Sequence, residues 1–218
     1  MSRADWFRRT EWNDEVERDF FVRLARSRSQ FHRAQYLRIQ ALELIQAGGS
    51  HRLRKALDLL DLLISRHPEP FELPGAHKQR GQALAELGDV DGALAALRDS
   101  MKAETQRPSR VAAHLDFGML VVATKREELY AEALRALEEF GGHELMPYMK
   151  YEASVIRAIA LNRARLHDAA RDQARRALEE AAKTHSGFRY HPTVGLVRIK
   201  DQELHERVVE LAQLNSRM

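Results

Sequence analysis

Hydrophobic residues recur along most of the chain at every third or fourth position, which places them on one face of an α-helix. The pattern starts in residues 13–29, where Trp12, Val16, Phe20 and Leu24 follow one another at four-residue spacing. Acidic residues crowd the start of this stretch, where they would face the positive end of a helix dipole. We therefore predict an amphipathic helix there, covering the first part of a helical body.

Segments of roughly 40 residues then repeat one helix–turn–helix pattern. The clearest copy is PGAHKQRGQALAELGDVDGALAALRDSMKAE, which starts at Pro74. Two helices approach closely only where small residues face each other, so we predict that Gly81 faces Ala93. Leu84 and Leu97 would fill the space beside them. Between the two helices, the pair Gly88-Asp89 is typical of a left-handed helix end followed by a helix cap.

Three further copies align with this one, so that small residues fall at matching positions of all four first helices. These positions are Ala41, Gly81, Gly118 and Ala158. We predict four helix pairs over residues 31–184, preceded by a capping segment over 1–30. Residues 185–218 would form an ordered loop and a capping helix from about Lys200 to Leu214, and the whole chain a single structural domain.

The aligned positions resemble those of the tetratricopeptide-repeat family over roughly residues 31–184. The resemblance implies an all-α solenoid of about four helix pairs whose concave face binds a protein or peptide. The chain departs from the family in its longer period and in Thr105, which stands where the closing proline belongs. An ordinary helical bundle is the competing interpretation, because it also contains amphipathic helices and alanine-rich seams.

Residues can be carried over from the family's concave positions one at a time. The binding residues so expected are Gln35, Arg38, Lys78, Gln82, Met119 and Asn162. The middle of the groove would be apolar and lined by Leu115, Val122, Val155 and Ile159. Lys78 and Gln82 resemble the cation–amide pair with which some members grip a peptide carboxylate, whereas Leu42 replaces the amide beside Arg38. We therefore expect an acidic or C-terminal segment as the partner.

Composition narrows the function further. The chain has no cysteine and a net charge of only +3, with both signs interspersed. No motif for nucleophilic, phosphate-binding or zinc chemistry occurs, so we expect no cofactor and no enzyme activity. Its charged N-terminus does not resemble a signal or membrane span, which favours a cytoplasmic adaptor, such as a bacterial accessory or immunity-type protein. Self-association into a homodimer stays open.

Two alternatives stay open beside protein binding. Nucleic acid could bind the arginine-rich segment 26–38, although a charge run of this length also fits a solvated face. A metal or enzyme site could form around residues 185–205, where His185, His191 and His205 occur. Trp6 and Phe7 lie before the first predicted helix and could either clasp the body or contact a partner.

Overall fold

A computed structural model describes residues 5–105, 110–199 and 201–214 of the chain. These residues are helical wherever they are regular, and they contain no strand. The helices are α1 (Asp14–Arg26), α2 (Gln30–Ala47), α3 (Ser50–Arg66), α4 (Leu73–Glu86), α5 (Val90–Thr105), α6 (Ala113–Ala123), α7 (Tyr130–Phe140), α8 (Pro147–Arg163), α9 (His167–Ala181) and α10 (Gln202–Gln213). They belong to two compact units, Met1–Ala113 and His114–Met218.

The N-terminal segment of the first unit is fastened to α2. Gln40 is fully buried, and its amide both accepts from the Arg9 N–H at 2.9 Å and donates to the Arg9 carbonyl at 2.7 Å. The Trp6 and Phe7 rings lie 4.9 and 4.6 Å from the Tyr36 ring. These two partly buried aromatics therefore act as a clasp on the body, which is one of the two roles that the sequence left open.

Helix pairs build the rest of the first unit. α2 packs on α3 and α4 on α5, while α4 also contacts both α2 and α3. The α4–α5 pair is close at Gly81, where an added methyl carbon would lie 2.8 Å from Leu97 Cγ and 3.2 Å from the Ala93 carbonyl oxygen. The predicted facing of Gly81 and Ala93 is therefore confirmed, because no larger residue fits between these helices.

The second unit is arranged around α8, which packs against α7, α9 and α10. It also meets α6, since an added methyl carbon on Gly118 would lie only 2.5 Å from Ile156 Cδ1. Gly118 thus allows the close approach of α8. With neighbours on several sides, α8 buries nine of its residues.

The turns after α4, α6 and α8 share one conformation, whereas the turn after α2 has two glycines with positive φ and extended ψ, Gly48 at ψ −178° and Gly49 at ψ 138°. The second residue after α2, α4, α6 and α8 has a positive φ in each case: Gly49 at 86°, Gly88 at 85°, Lys125 at 56° and Arg165 at 62°. In the last three turns the next N–H donates back to the carbonyl five residues earlier, at 2.9 to 3.0 Å. This bond ends a helix and turns the chain back on itself. After Gly88, Asp89 Oδ1 accepts from the Gly92 N–H at 2.9 Å, as predicted for a cap.

Helices occupy all eight positions predicted for the four pairs, and the small residues at the four matching positions are buried. Both terminal helices are also present. The Asn13 side chain accepts from the N–H groups of Glu15 and Val16, which starts α1 where predicted. Asp201 caps α10 in the same way, and Lys200, the predicted start of that helix, lies outside the described residues.

The shared turn predicts that Arg165→Gly stabilises the protein. A left-handed residue with a Cβ costs about 1–2 kcal/mol, of which glycine's greater freedom in the unfolded chain offsets a part. We expect a net gain of about 0.5–1 kcal/mol in the free energy of unfolding, measured by urea denaturation. Arg165→Ala removes the same side chain but keeps the Cβ, so an equal gain in that control would contradict the explanation.

Candidate functional site

The expected binding residues of the first unit lie on two neighbouring helices. Gln35 and Arg38 belong to α2, Lys78 and Gln82 belong to α4, and α2 contacts α4. All four side chains are half-buried. The structure therefore brings these four residues onto adjacent elements, and their side-chain contacts show what each one does there.

Arg38 joins α2 to the first turn of α4. Its Nε donates to the Glu72 carboxylate, and Glu72 is 7% exposed at its side chain against 27% for Arg38. The aliphatic part of the Arg38 side chain lies over Gly75, where an added methyl carbon would be 3.1 Å from the Cδ of Arg38. With its amide oriented to satisfy both atoms, Gln79 donates to the Arg38 carbonyl and accepts from its Nη1. The guanidinium thus compensates a buried carboxylate.

Lys78 holds the chain that follows α5. Its Nζ donates to the Val111 carbonyl at 2.7 Å, while Glu104 Oε1 accepts from the Val111 N–H at 3.2 Å. Burial raises the pKa of Glu104, and the N–H groups of Val111 and Ala113, together with Lys78, oppose that shift. Both cations expected to face a partner's carboxylate are therefore bonded to groups of the protein itself.

The predicted apolar groove of the second unit is buried core instead. Leu115, Val122, Val155 and Ile159 are at most 4% exposed. The reason is that α8 has neighbours on several sides and so has no open apolar stripe. Met119 and Asn162 are half-buried, and Asn162 Oδ1 lies 3.1 Å from His167 Nδ1. The sequence carried a signal for this burial, since α6 reads AHLDFGMLVVA and, apart from His114 and Asp116, is apolar without a polar face.

The arginine-rich segment 26–38 does not present a uniform face. Arg26 and Arg28 are exposed. Arg33, in contrast, donates from its Nε to the Ser27 carbonyl at 2.7 Å, and Arg38 is bonded to Glu72. Two of the four guanidinium groups therefore serve local structure.

An ordered loop, here called the aromatic loop and defined as residues 183–199, connects α9 to α10. Ser186 fastens it across its width, because its N–H donates to the Pro192 carbonyl and its hydroxyl to the His191 carbonyl, both at 2.7 Å. The Gly195 carbonyl accepts from the Tyr148 N–H at 2.9 Å at the start of α8. This order confirms the prediction made from HSGFRYHPTVGLVRI.

Large apolar side chains on the aromatic loop point into solvent, which the sequence analysis had not singled out. Tyr190 is 79% exposed, and Phe188, Val194 and Ile199 are each at least 40% exposed. The segment before α8 adds two more exposed apolar side chains, Leu145, which is 74% exposed, and Tyr148. This segment contacts the loop at Gly195 through Met146 and Tyr148. The signal was present as aromatic and aliphatic residues in a stretch without a helical period.

The aromatic loop is also basic. Residues 183–199 contain Lys183, Arg189 and Arg198 and no carboxylate. The Arg189 guanidinium lies over the Tyr190 ring, 5.4 Å from its centre, so cation and aromatic face form one surface. Carboxylates lie near Tyr148, where burial and the charges of Glu152 and Asp116 raise the pKa of its hydroxyl.

A polar cavity of about 220 Å³ lies between α8 and α9 in the second unit. Its wall consists of Glu144, Lys150, Ala153, Ser154, Arg157, Gln173, Arg176, Glu179 and Glu180. Glu144 Oε2 accepts from the Gly142 N–H at 2.9 Å, whereas Oε1 is buried, accepts no hydrogen bond from the described residues and lies 3.8 Å from His114 Nε2. Neither the cavity nor its charges had been predicted.

The histidines around 185–205 are not brought together. His185 Nδ1 accepts from the Gly187 N–H, and His205 Nδ1 lies 3.0 Å from the Tyr151 hydroxyl, whose pKa burial raises to about 12. No group of three or more His, Asp or Glu side chains that could hold a metal occurs in residues 5–105, 110–199 and 201–214. Over the same residues, no helix is both long and apolar enough to cross a membrane.

Comparison with protein-family models gives no match, and searches of curated proteins and of solved structures give none either.

The Arg38–Glu72 contact predicts an asymmetric loss of stability. Arg38→Met leaves a buried carboxylate without its cation and should cost about 2–3 kcal/mol in the free energy of unfolding. Glu72→Gln leaves a partly hydrated guanidinium and should cost less, about 1 kcal/mol. The double variant should recover part of the Arg38→Met loss in urea denaturation. Additive losses would show that the two side chains do not depend on each other.

Proposed function

We propose that the chain is a polypeptide-binding adaptor built from tetratricopeptide-like helix pairs. The turns after α4, α6 and α8 support the repeat architecture, since the same positive-φ residue and the same returning hydrogen bond in three turns fit similar units. The observation that carries the binding function is the aromatic loop, an ordered segment with several exposed apolar side chains. Its role is to hold a partner, and no bond-making residue is assigned.

Exposed apolar side chains on an ordered loop favour binding over a structural role. Side chains that serve the core are buried, whereas Tyr190 and Leu145 leave most of their area in water. The hydrogen bonds of Ser186 fix the loop before any partner arrives, which lowers the entropy cost of association. Tyrosine beside arginine is also the residue pair enriched at the energetic centres of interfaces.

The charge of the aromatic loop indicates the chemistry of the partner. Since residues 183–199 carry cations and no carboxylate, an acidic segment would complement them. Its own apolar side chains would cover Phe188, Val194 and Ile199. An acidic partner also agrees with the expectation from the sequence, although that expectation located it on α2 and α4.

A polypeptide fits this surface better than a nucleic acid does. Bases stack on aromatic faces but gain little from aliphatic side chains such as Val194, Ile199 and Leu145. The net charge of +3 is small for a phosphate-binding protein. The α2–α4 face, with Gln35 and Gln82, is the second candidate surface for the same polypeptide-binding function.

Site-specific cross-linking tests the proposal. A photoreactive benzoylphenylalanine at Tyr190, expressed in the source organism, should give an adduct with an acidic, apolar segment of one protein, identified by mass spectrometry. A synthetic peptide of that segment should bind the purified protein in a fluorescence anisotropy titration. Arg189→Glu with Arg198→Glu should weaken its affinity by at least about tenfold, and exchanging the peptide's acids for lysines should restore part of it.

Two controls decide which surface is used. The photoreactive residue at Glu138, an exposed position of α7, should not give the adduct. Gln35→Ala with Gln82→Ala should leave the peptide's affinity unchanged, and a loss there instead would move the site to the α2–α4 face. Adducts with nucleic acid, or preferential binding of anionic vesicles over the peptide, would contradict polypeptide binding at the aromatic loop.

A further inference from the structure

We propose that the polar cavity between α8 and α9 binds a short extended zwitterion, with a carboxylate at the Arg157–Arg176 end and an ammonium group at the Glu144–Glu179 end. This site is separate from the partner surface of the aromatic loop, and its ligand is a small molecule or a short peptide.

Helix geometry places the lining residues on two facing surfaces. Lys150, Ser154 and Arg157 are spaced four and three residues apart, so they share one face of α8. In the same way Gln173 and Arg176 share one face of α9. Since α8 packs on α9 and only a three-residue turn joins them, the two helices run in opposite directions.

Counting back from that turn shows how charge is distributed along the cavity. Arg157 stands six residues before the end of α8, and Gln173 six residues after the start of α9. Ser154 lies nine residues before the end of α8 and Arg176 nine residues after the start of α9, so these two also lie at the same distance from the turn. This part of the wall therefore offers two guanidinium groups, a hydroxyl and an amide, which are suitable donors for a carboxylate.

The opposite end of the cavity is acidic. Lys150 and Glu180 each lie thirteen residues from the turn, on α8 and α9 respectively. Glu179 and Glu144, which precedes α8, line the same end. Three carboxylates and one ammonium group meet there. Glu180 already pairs with Lys183 at 2.7 Å, which leaves Glu144 and Glu179 as acceptors for a ligand's ammonium group.

Two cations and one carboxylate oxygen of the cavity lack a hydrogen bond of their own within the described residues, although this oxygen, Glu144 Oε1, lies 3.8 Å from His114 Nε2. Within the part of the chain that the structure describes, neither Arg157 nor Arg176 forms an ion pair or a side-chain hydrogen bond. Glu144 Oε1 is buried without a hydrogen bond. The buried Glu144 oxygen would gain a hydrogen bond from a ligand, and the half-buried Arg157 and exposed Arg176 are free to exchange water for a ligand's carboxylate.

Cavity size sets the ligand's length. Positions 150 and 157 are seven residues apart, or about 10 Å along the axis of α8. The volume of about 220 Å³ is below the usual range for drug-sized ligands. An ω-amino acid or a short peptide has the required separation of charges, since three extended residues span roughly 10 Å.

An NMR titration with matched probes tests this assignment. We expect 6-aminohexanoate to shift the amide resonances of Ser154, Arg157, Gln173 and Arg176. Hexanoate and hexylamine each lack one charge and should bind at least about fivefold more weakly, and glycine is too short to reach both ends. Triglycine carries the same charges on a peptide, so tighter binding of triglycine would assign peptides as the ligand, and tighter binding of 6-aminohexanoate would assign ω-amino acids.

Variants locate the site. Arg176→Gln and Glu179→Gln should each lower the affinity for 6-aminohexanoate by at least about fivefold. Arg175→Gln changes an exposed neighbour outside the cavity and should leave this affinity unchanged. Overlay of the amide spectra reports folding of each variant. The assignment is overturned if hexanoate binds as tightly as 6-aminohexanoate, if Arg175→Gln has the effect of Arg176→Gln, or if no probe shifts these resonances. None of these results bears on the cross-link at Tyr190.

Discussion

Two helices can pack closely along their length only if the chain reverses within a few residues and if small side chains lie at the crossing. This chain meets the first condition with a positive-φ residue two positions after α2, α4, α6 and α8. Gly81 meets the second condition between α4 and α5, and Gly118 meets it between α6 and α8. Several helices that follow one another in the chain are also packed neighbours, namely α2–α3, α3–α4, α4–α5, α7–α8 and α8–α9.

Close packing also determines where polar side chains are used. Burying Glu72 at the start of α4 requires a cation, which Arg38 supplies from α2. Gln40 compensates the backbone of Arg9, and Lys78 that of Val111. A cation on a helix surface can thus belong to the folding energetics even when its sequence position matches a binding position. The groups left without such tasks, at the aromatic loop and the α8–α9 cavity, have more freedom to interact with another molecule.

Local patterns made much of the fold predictable. The helix positions, the contact of Gly81 with Ala93 and the cap at Asp89 depend on residues close in sequence, and the structure has them. The burial of Val155 and Ile159 was missed because periodicity reports one apolar face and does not report how many neighbours a helix acquires. The cavity was missed for a related reason. Its charges come from α8, α9 and the preceding segment, and they converge only after α8 and α9 pack.

The segment from 141 to 150 links the two surfaces of the second unit. Glu144 lines the cavity, while Met146 and Tyr148 contact Gly195 of the aromatic loop, and Lys150 returns to the cavity wall. A partner on the proposed surface at Leu145 and Tyr148 would therefore lie on the same backbone segment that carries Glu144. If a ligand at Glu144 changed the affinity for that partner, the partner would change the affinity for the ligand by the same factor, because linked equilibria are reciprocal.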